Sequence, residues 1–250
     1  VNSCVGDYDM IPKTIHYCWF GKGEPPEIVK KCIKSWKEYC PGFQIKLWNE
    51  DNYDVTKNCY MKEAYDNKKW AFVSDYARLD IVYNEGGIYL DTDVELVRSL
   101  DSLLDYHCFF AGDGCGINTG IGFGAERKNT VVEMLLLEYE KKHFVKDGRM
   151  DLTPCTVPNT RVFLDNGYNP TDTSIQSILG VTIFPPEYFS PTNGMSELNA
   201  TEMTYGIHHG SRLWETGMTR LKTRVRLTLG RKWTNRIKRI LKFFRLKNNC

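Results

Sequence analysis

The stretch "KKWAFVSDYARLDIVYNEGGIYLDTD", residues 68–93, constrains the fold more than any other part of the chain. Ala71, Phe72, Asp75, Leu79 and Val82 recur at spacings of three and four, the period of a helix packed along one face. Gly86-Gly87 follows, and glycine readily takes the left-handed conformation that closes a helix. Ile88 to Leu90 then predict a short apolar strand, with Asp91 and Asp93 just past its end. A helix running through two glycines into an apolar strand is a joint of an α/β sheet. In open sheets of that class, ligands bind beyond the carboxyl ends of the strands.

The flanking sequence agrees. Ile11 to Phe20 alternates enough to predict a first strand, "GKGEPP" a loop, and Ile28, Cys32, Ile33 and Trp36 a helix from Glu27 that stops at Pro41-Gly42. "FQIKLWNE" predicts a second strand, completing β-α-β. "FFAGDGCGINTGIGFGAERKN" reads as strand, loop and strand, with a helix from about Thr130 to His143 after it. The region 151–199 is rich in Pro, Thr and Asn and shows only short apolar bursts, "VFL" and "VTIFPPEYF". "TYGIHHG" predicts a last strand ending in two histidines.

Nine scattered cysteines without a C-x-x-C pair argue against a zinc knuckle or a disulfide framework. No apolar run approaches the ~18 residues that span a bilayer, and the opening residues lack a signal-peptide pattern, so a cytosolic location is expected. Twelve of the 33 Lys and Arg, and none of the 31 Asp and Glu, lie in 219–250, which makes the body acidic and the tail strongly basic. The expected organisation is a catalytic domain over 11–218 and a basic tail over 219–250.

In an extended backbone, Asp91 and Asp93 at i and i+2 would lie on one face. Two neighbouring carboxylates repel, and partial burial worsens this, so a compensating cation is expected. Mg²⁺ or Mn²⁺ would suit the oxygen ligands and leave positions open for phosphate oxygens. An isolated D-x-D is too common to carry this alone.

Its context is more specific. Asp75, Arg78, Gly86, Gly87, Tyr89, Asp91 and Asp93 in "FVSDYARLDIVYNEGGIYLDTDVEL" resemble the sugar-transferase signature of the DXD-containing glycosyltransferases of family 32, and "IPKTIHYCWFG" resembles the start of that family. The resemblance spans roughly residues 11–100. It implies a GT-A fold, a Rossmann-like mixed α/β sheet that binds a nucleotide sugar, with a divalent metal and retention of configuration at the transferred sugar. The donor expected is a UDP-linked hexose, and the acceptor a polysaccharide or lipid-linked glycan of a cell-surface polymer.

By the same resemblance Asp93 is expected to ligate the metal, and Asp91 to bind it directly or through water while reaching toward the ribose or sugar hydroxyls. His208, the first of the two histidines, resembles the third ligand of many GT-A enzymes better than His209 does. Asp75 and Arg78 lie three apart on one helix face, and the resemblance points both at the donor sugar. Tyr17 and Trp19 either stack on the base or fill the core, and Tyr89 packs against nucleotide or core. Asp113 and Asn118 in the glycine-dense loop are candidate sugar contacts. Ser211 and Trp214 fall where relatives contact phosphate or sugar, although "HHGSRLW" departs from the common bacterial spacing.

In the tail, Trp233, Ile237, Ile240, Leu241 and Phe244 recur at helical spacing among Arg and Lys. An amphipathic basic helix of this kind suits an anionic membrane surface, which would hold the enzyme on the inner face of the plasma membrane. The acidic body argues against nucleic acid as a partner. The competing functions are a metal-dependent phosphohydrolase, which would need further ligands or a nucleophilic carboxylate, and a non-enzymatic adaptor whose acid pair holds a structural cation.

Overall fold

The computed structural model describes residues 10–191 and 199–211. The expected tail helix and Trp214 lie outside them. In chain order the elements are β1 (Thr14–Cys18), α1 (Glu27–Tyr39), β2 (Gln44–Trp48), α2 (Cys59–Asp66), α3 (Trp70–Glu85), β3 (Gly87–Tyr89), β4 (Val94–Leu96), β5 (Cys108–Ala111), β6 (Phe123–Ala125) and α4 (Thr130–Glu140). They continue with β7 (Val145–Lys146), β8 (Arg149–Met150), α5 (Thr156–Leu164), β9 (Gln176–Ile178), β10 (Val181–Phe184) and β11 (Gly206–His208). Three-residue 3₁₀ turns follow β4 and β10.

Seven strands form one mixed sheet in the order β2-β1-β3-β6-β5-β10-β9, while β11 pairs with β4 in a separate ribbon and β7 pairs with β8 in another. β1 runs parallel to β2 and β3, β6 lies antiparallel between β3 and β5, and β10 is parallel to β5. Helices flank the sheet, giving the α/β class and the mixed sheet expected from the sequence. Successive strand residues alternate between two cores. Tyr89, Phe110 and Phe123 join Phe72, Leu79 and Val82 of α3, with Leu135 of α4, on one side. Ile88, Phe109 and Leu90 join Trp36 of α1 on the other.

The predicted strands, α1, α3 and α4 are present within a few residues of their expected bounds. α2, α5 and β10 are additions. α2 has eight residues, started by Asn58, whose side chain accepts from the Met61 N–H at 3.2 Å. The burst "VTIF" supplies β10, which takes an interior place in the sheet. Among the described residues no helix is long and apolar enough to cross a membrane.

The two glycines after α3 have a steric reason. Gly86 and Gly87 take φ of 65° and 101°, conformations that cost L side chains dearly. A Cβ on Gly87 would stand 2.8 Å from His16 Nε2 and 2.9 Å from the Thr14 carbonyl, so the turn presses directly against β1. His16 is 1% exposed. Its Nδ1 accepts from Trp48 Nε1 at 3.1 Å. Because an indole N–H can only donate, the ring proton sits on Nε2 and is donated to the Gly86 carbonyl at 2.8 Å. One neutral imidazole thereby ties β1, β2 and the α3–β3 turn together.

Burial lowers the His16 pKa to about 4. As pH falls below the ordinary value of about 6.5, the unfolded chain takes up a proton that the native ring refuses, so stability declines down to about pH 4 and levels off below it. The contribution is about 3 kcal/mol over that window. Urea unfolding at a series of pH values should therefore show a shallower acid decline for His16→Gln than for the wild type, and equal declines would contradict the assignment.

Candidate active site

Asp75 and Arg78 face inward from α3. Arg78 Nη2 lies 3.1 Å from Asp75 Oδ1, and the two side chains are only 4% and 9% exposed, so this is no surface ion pair. The same nitrogen is 3.4 Å from Asp91 Oδ1, and the Asp91 side chain is 32% exposed. The Tyr89 hydroxyl donates to Asp91 Oδ1 at 3.1 Å, and its buried ring lies 5.2 Å from the Arg78 guanidinium carbon.

The backbone between the two aspartates is not extended, as the sequence reading assumed. The Val94 N–H donates to the Asp91 carbonyl at 3.0 Å, closing a turn over 91–94. That turn sends the carboxylates to different partners. The Asp91 N–H is held by the Gly120 carbonyl at 2.7 Å, while the Asp93 carbonyl accepts from the His209 N–H at 3.0 Å. Asp93 is buried, and its Oδ1 is 3.5 Å from His208 Nε2.

His208 reaches Asp93 because β11 pairs antiparallel with β4, His208 opposite Val94. α1 fixes β4 in turn, through Trp36 Nε1 donating to the Val94 carbonyl at 2.7 Å and Ser35 Oγ accepting from the Leu96 N–H at 2.9 Å. His209 points elsewhere, its Nε2 2.8 Å from Glu95 Oε2, and Lys31 Nζ meets the same oxygen at 2.7 Å.

Burial raises the Asp75 and Asp91 pKa values; Arg78 opposes the rise, and a neighbouring carboxylate adds to it in each case. Burial alone would disfavour charge on Arg78, but Asp91 and Asp75 more than offset this and hold the guanidinium protonated well above its usual range. One cation shared by two carboxylates leaves a local excess of negative charge. Asp93 and His208 add an oxygen and a nitrogen donor close enough to share one divalent ion, which fits the donor chemistry of Mg²⁺ or Mn²⁺. The full expected set of Asp91, Asp93 and His208 is not assembled, because Asp91 is drawn to Arg78 and Tyr89. Among the described residues no group of three His, Cys, Asp or Glu side chains converges as ion ligands.

The remaining expected residues fall into place individually. Tyr17 is half-buried and packs edge-on against Trp36, with ring centroids 5.4 Å apart. Trp19 is partly exposed and donates to the Gly23 carbonyl at 2.6 Å across the "GKGEPP" loop. Asn118 Nδ2 donates to Asp113 Oδ2 at 2.9 Å, and its Oδ1 accepts from the Gly120 N–H at 2.9 Å, so the pair braces the glycine loop from within. Ser211 is half-buried. The sequence reading missed Gly120 and Cys155, which border Arg78, and Thr119, which hydrogen-bonds Cys155; the glycine density of "INTGIGFG" was the available signal for the two loop residues.

Residues 26–110 match the family model described as the glycosyltransferase sugar-binding region containing a DXD motif. An inositol phosphoceramide mannosyltransferase of Schizosaccharomyces pombe is 35% identical over 100 residues, 38% of this chain and 28% of the relative. A glycosyltransferase of Acanthamoeba polyphaga mimivirus is 33% identical over 107 residues, 40% of this chain and 43% of the relative. The matches thus span less than half the length of these relatives. Among solved structures, the PaToxG glycosyltransferase is similar at a TM-score of 0.47 and 16% identity, over 63% of this chain and 69% of the other. The galactosyltransferase LgtC is similar at 0.44 and 14%, over 89% and 99%. Asp75, Arg78, Tyr89, Asp91 and Asp93 all lie within the residues that match this sugar-binding region.

A Cβ on Gly120 would overlap the Asp91 carboxylate and stand 2.9 Å from Arg78 Nη1, with no left-handed backbone involved. Gly120→Ala is therefore expected to cost about 1–3 kcal/mol in urea unfolding, and much less when combined with Asp91→Ala, which removes the obstructing group. An equal cost in both backgrounds would place the conflict elsewhere.

Proposed function

We propose that the protein is a metal-dependent, retaining glycosyltransferase that moves a hexose from a UDP-linked donor to a glycan or lipid-linked glycan acceptor. The observation that carries this reading is the pairing of β11 with β4, which brings His208 to Asp93 beside the buried Asp75–Arg78–Asp91 cluster. A sugar-binding region alone would need only the second half of that arrangement.

Asp93 and His208 would hold the divalent ion, with Asp91 joining them at the expense of its contact with Arg78. The ion, when bound, supplies Lewis-acid neutralisation of a departing diphosphate. The chain's own residues do the rest. Asp75 accepts hydrogen bonds from the sugar hydroxyls, and Arg78 donates to a hydroxyl or phosphate oxygen. Their burial keeps water from competing for these contacts and strengthens them. Trp19, partly open at the end of β1, offers a flat face to the base, while Tyr17 packs edge-on against Trp36. The fission-yeast relative is named for mannosyl transfer to inositol phosphoceramide, which supports a hexosyl donor and a lipid-borne acceptor. A membrane-surface location through the basic tail is consistent with such an acceptor.

Incubating the protein with a panel of nucleotide sugars, with and without Mn²⁺, tests the proposal. Slow, metal-dependent release of free sugar and nucleoside diphosphate from one preferred donor is expected. Asp93→Asn should lower that rate by about 10²-fold or more, and His208→Ala should raise the Mn²⁺ concentration required. Release of nucleoside monophosphate and sugar phosphate would instead indicate a phosphohydrolase, and no turnover of any donor would count against both.

A further inference from the structure

Arg78 has one more partner than the carboxylates require. Its Nε donates to the Ser74 carbonyl one turn back on α3 at 3.0 Å, and Nη2 faces Asp75 and Asp91. Nη1 donates to Cys155 Sγ at 3.7 Å, across 77 positions of sequence. Cys155 is buried immediately before α5. Its sulfur also receives the Thr119 hydroxyl at 4.0 Å. Asn159, one turn into α5 and 1% exposed, donates from Nδ2 to Thr119 Oγ1 at 3.2 Å. The chain of contacts runs from α5 through the glycine loop to the guanidinium without reaching solvent.

We propose that Cys155, backed by Thr119 and Asn159, is a positioning residue that fixes the rotation of the Arg78 guanidinium, holding Nη2 toward the two carboxylates and the donor sugar. A planar guanidinium recognises its partners by direction, and a buried one whose Nη1 end is loose can turn them away. The chemistry of a thiol suits the place. Burial holds it neutral, well above the usual thiol range, so it accepts from Arg78 without adding another negative charge to a cluster already rich in carboxylate. Thiol hydrogen bonds are weak, so the contribution is to orientation far more than to stability.

The orientation claim stands apart from the proposed transferase activity; only its donor clause rests on that reading. Nitrogen-15 NMR of the arginine side chains tests it, with the Arg78 signals assigned by their loss in Arg78→Lys. In the wild type the Nη protons of Arg78 should be resolved, because rotation about the Cζ–Nη bonds is slow. In Cys155→Ala they should merge, with the melting temperature within a few degrees of wild type. The donor KM in the hydrolysis assay should rise up to about tenfold, the scale of one lost hydrogen bond, at a nearly unchanged kcat. Cys155→Ser, which keeps a donor and an acceptor at the site, should restore both readouts. If Cys155→Ala does not fold, Thr119→Val should show the same merging through loss of the hydroxyl that backs the sulfur. Resolved Arg78 signals and a wild-type KM in the folded variant would overturn the proposal. If no donor is turned over even by the wild type, the transferase reading falls while the NMR comparison still decides the role of Cys155.

Discussion

A single guanidinium shared between two carboxylates, almost out of reach of water, governs the arrangement of everything around it. Arg78 is 3% exposed, and Asp75 and Asp91 approach it from a helix and from the end of a strand. Such a cluster adds little net stability, since desolvation offsets the attraction, but removing Arg78 strands the buried Asp75 carboxylate at a cost of several kcal/mol. That asymmetry fixes its neighbours. The Tyr89 hydroxyl, the bare backbone of Gly120 and the sulfur of Cys155 each occupy a place that a larger or charged group would upset.

The second half of the site depends on a contact made far along the chain. The ribbon of β4 and β11 lies outside the main sheet, yet it decides whether a histidine stands next to Asp93. It is secured on two sides. Trp36 and Ser35 of α1 hydrogen-bond the backbone of β4, and Glu95 collects Lys31 and His209 on the outer surface. The two histidines therefore divide the work: one faces the acid pair, and its neighbour fastens the strand.

What could be read from the amino-acid order followed from strong local periodicity. α3, β3 and the position of the acid pair were legible because the apolar spacing changes from helical to extended across Gly86-Gly87, whose conformations no other residue tolerates as well. The membership of Asp75, Arg78, Asp91 and His208 in one locality was legible mainly through likeness to a known signature. The turn at 91–94 was not, because no Gly or Pro in "LDTDVEL" marks it and a single hydrogen bond from Val94 closes it. α5 was hidden by Thr, Val and Asn, weak helix formers, and by Pro158, which is tolerated only because the first-turn N–H groups lack helical partners. With α5 unread, Cys155 stayed an ordinary cysteine. β10 was hidden because three apolar residues and a threonine between glycine and two prolines do not distinguish an interior strand from a loop crossing the surface.

Each aspartate of the pair is anchored through its main chain to a different piece of the molecule, Asp91 to the glycine loop at Gly120 and Asp93 to the segment after β11 at His209. The two-residue step between them is thus a mechanical link as well as a chemical one. Whatever grips both side chains together must also draw those two remote segments into a fixed distance, so occupancy at the centre is felt as stiffness at two places that share no direct bond.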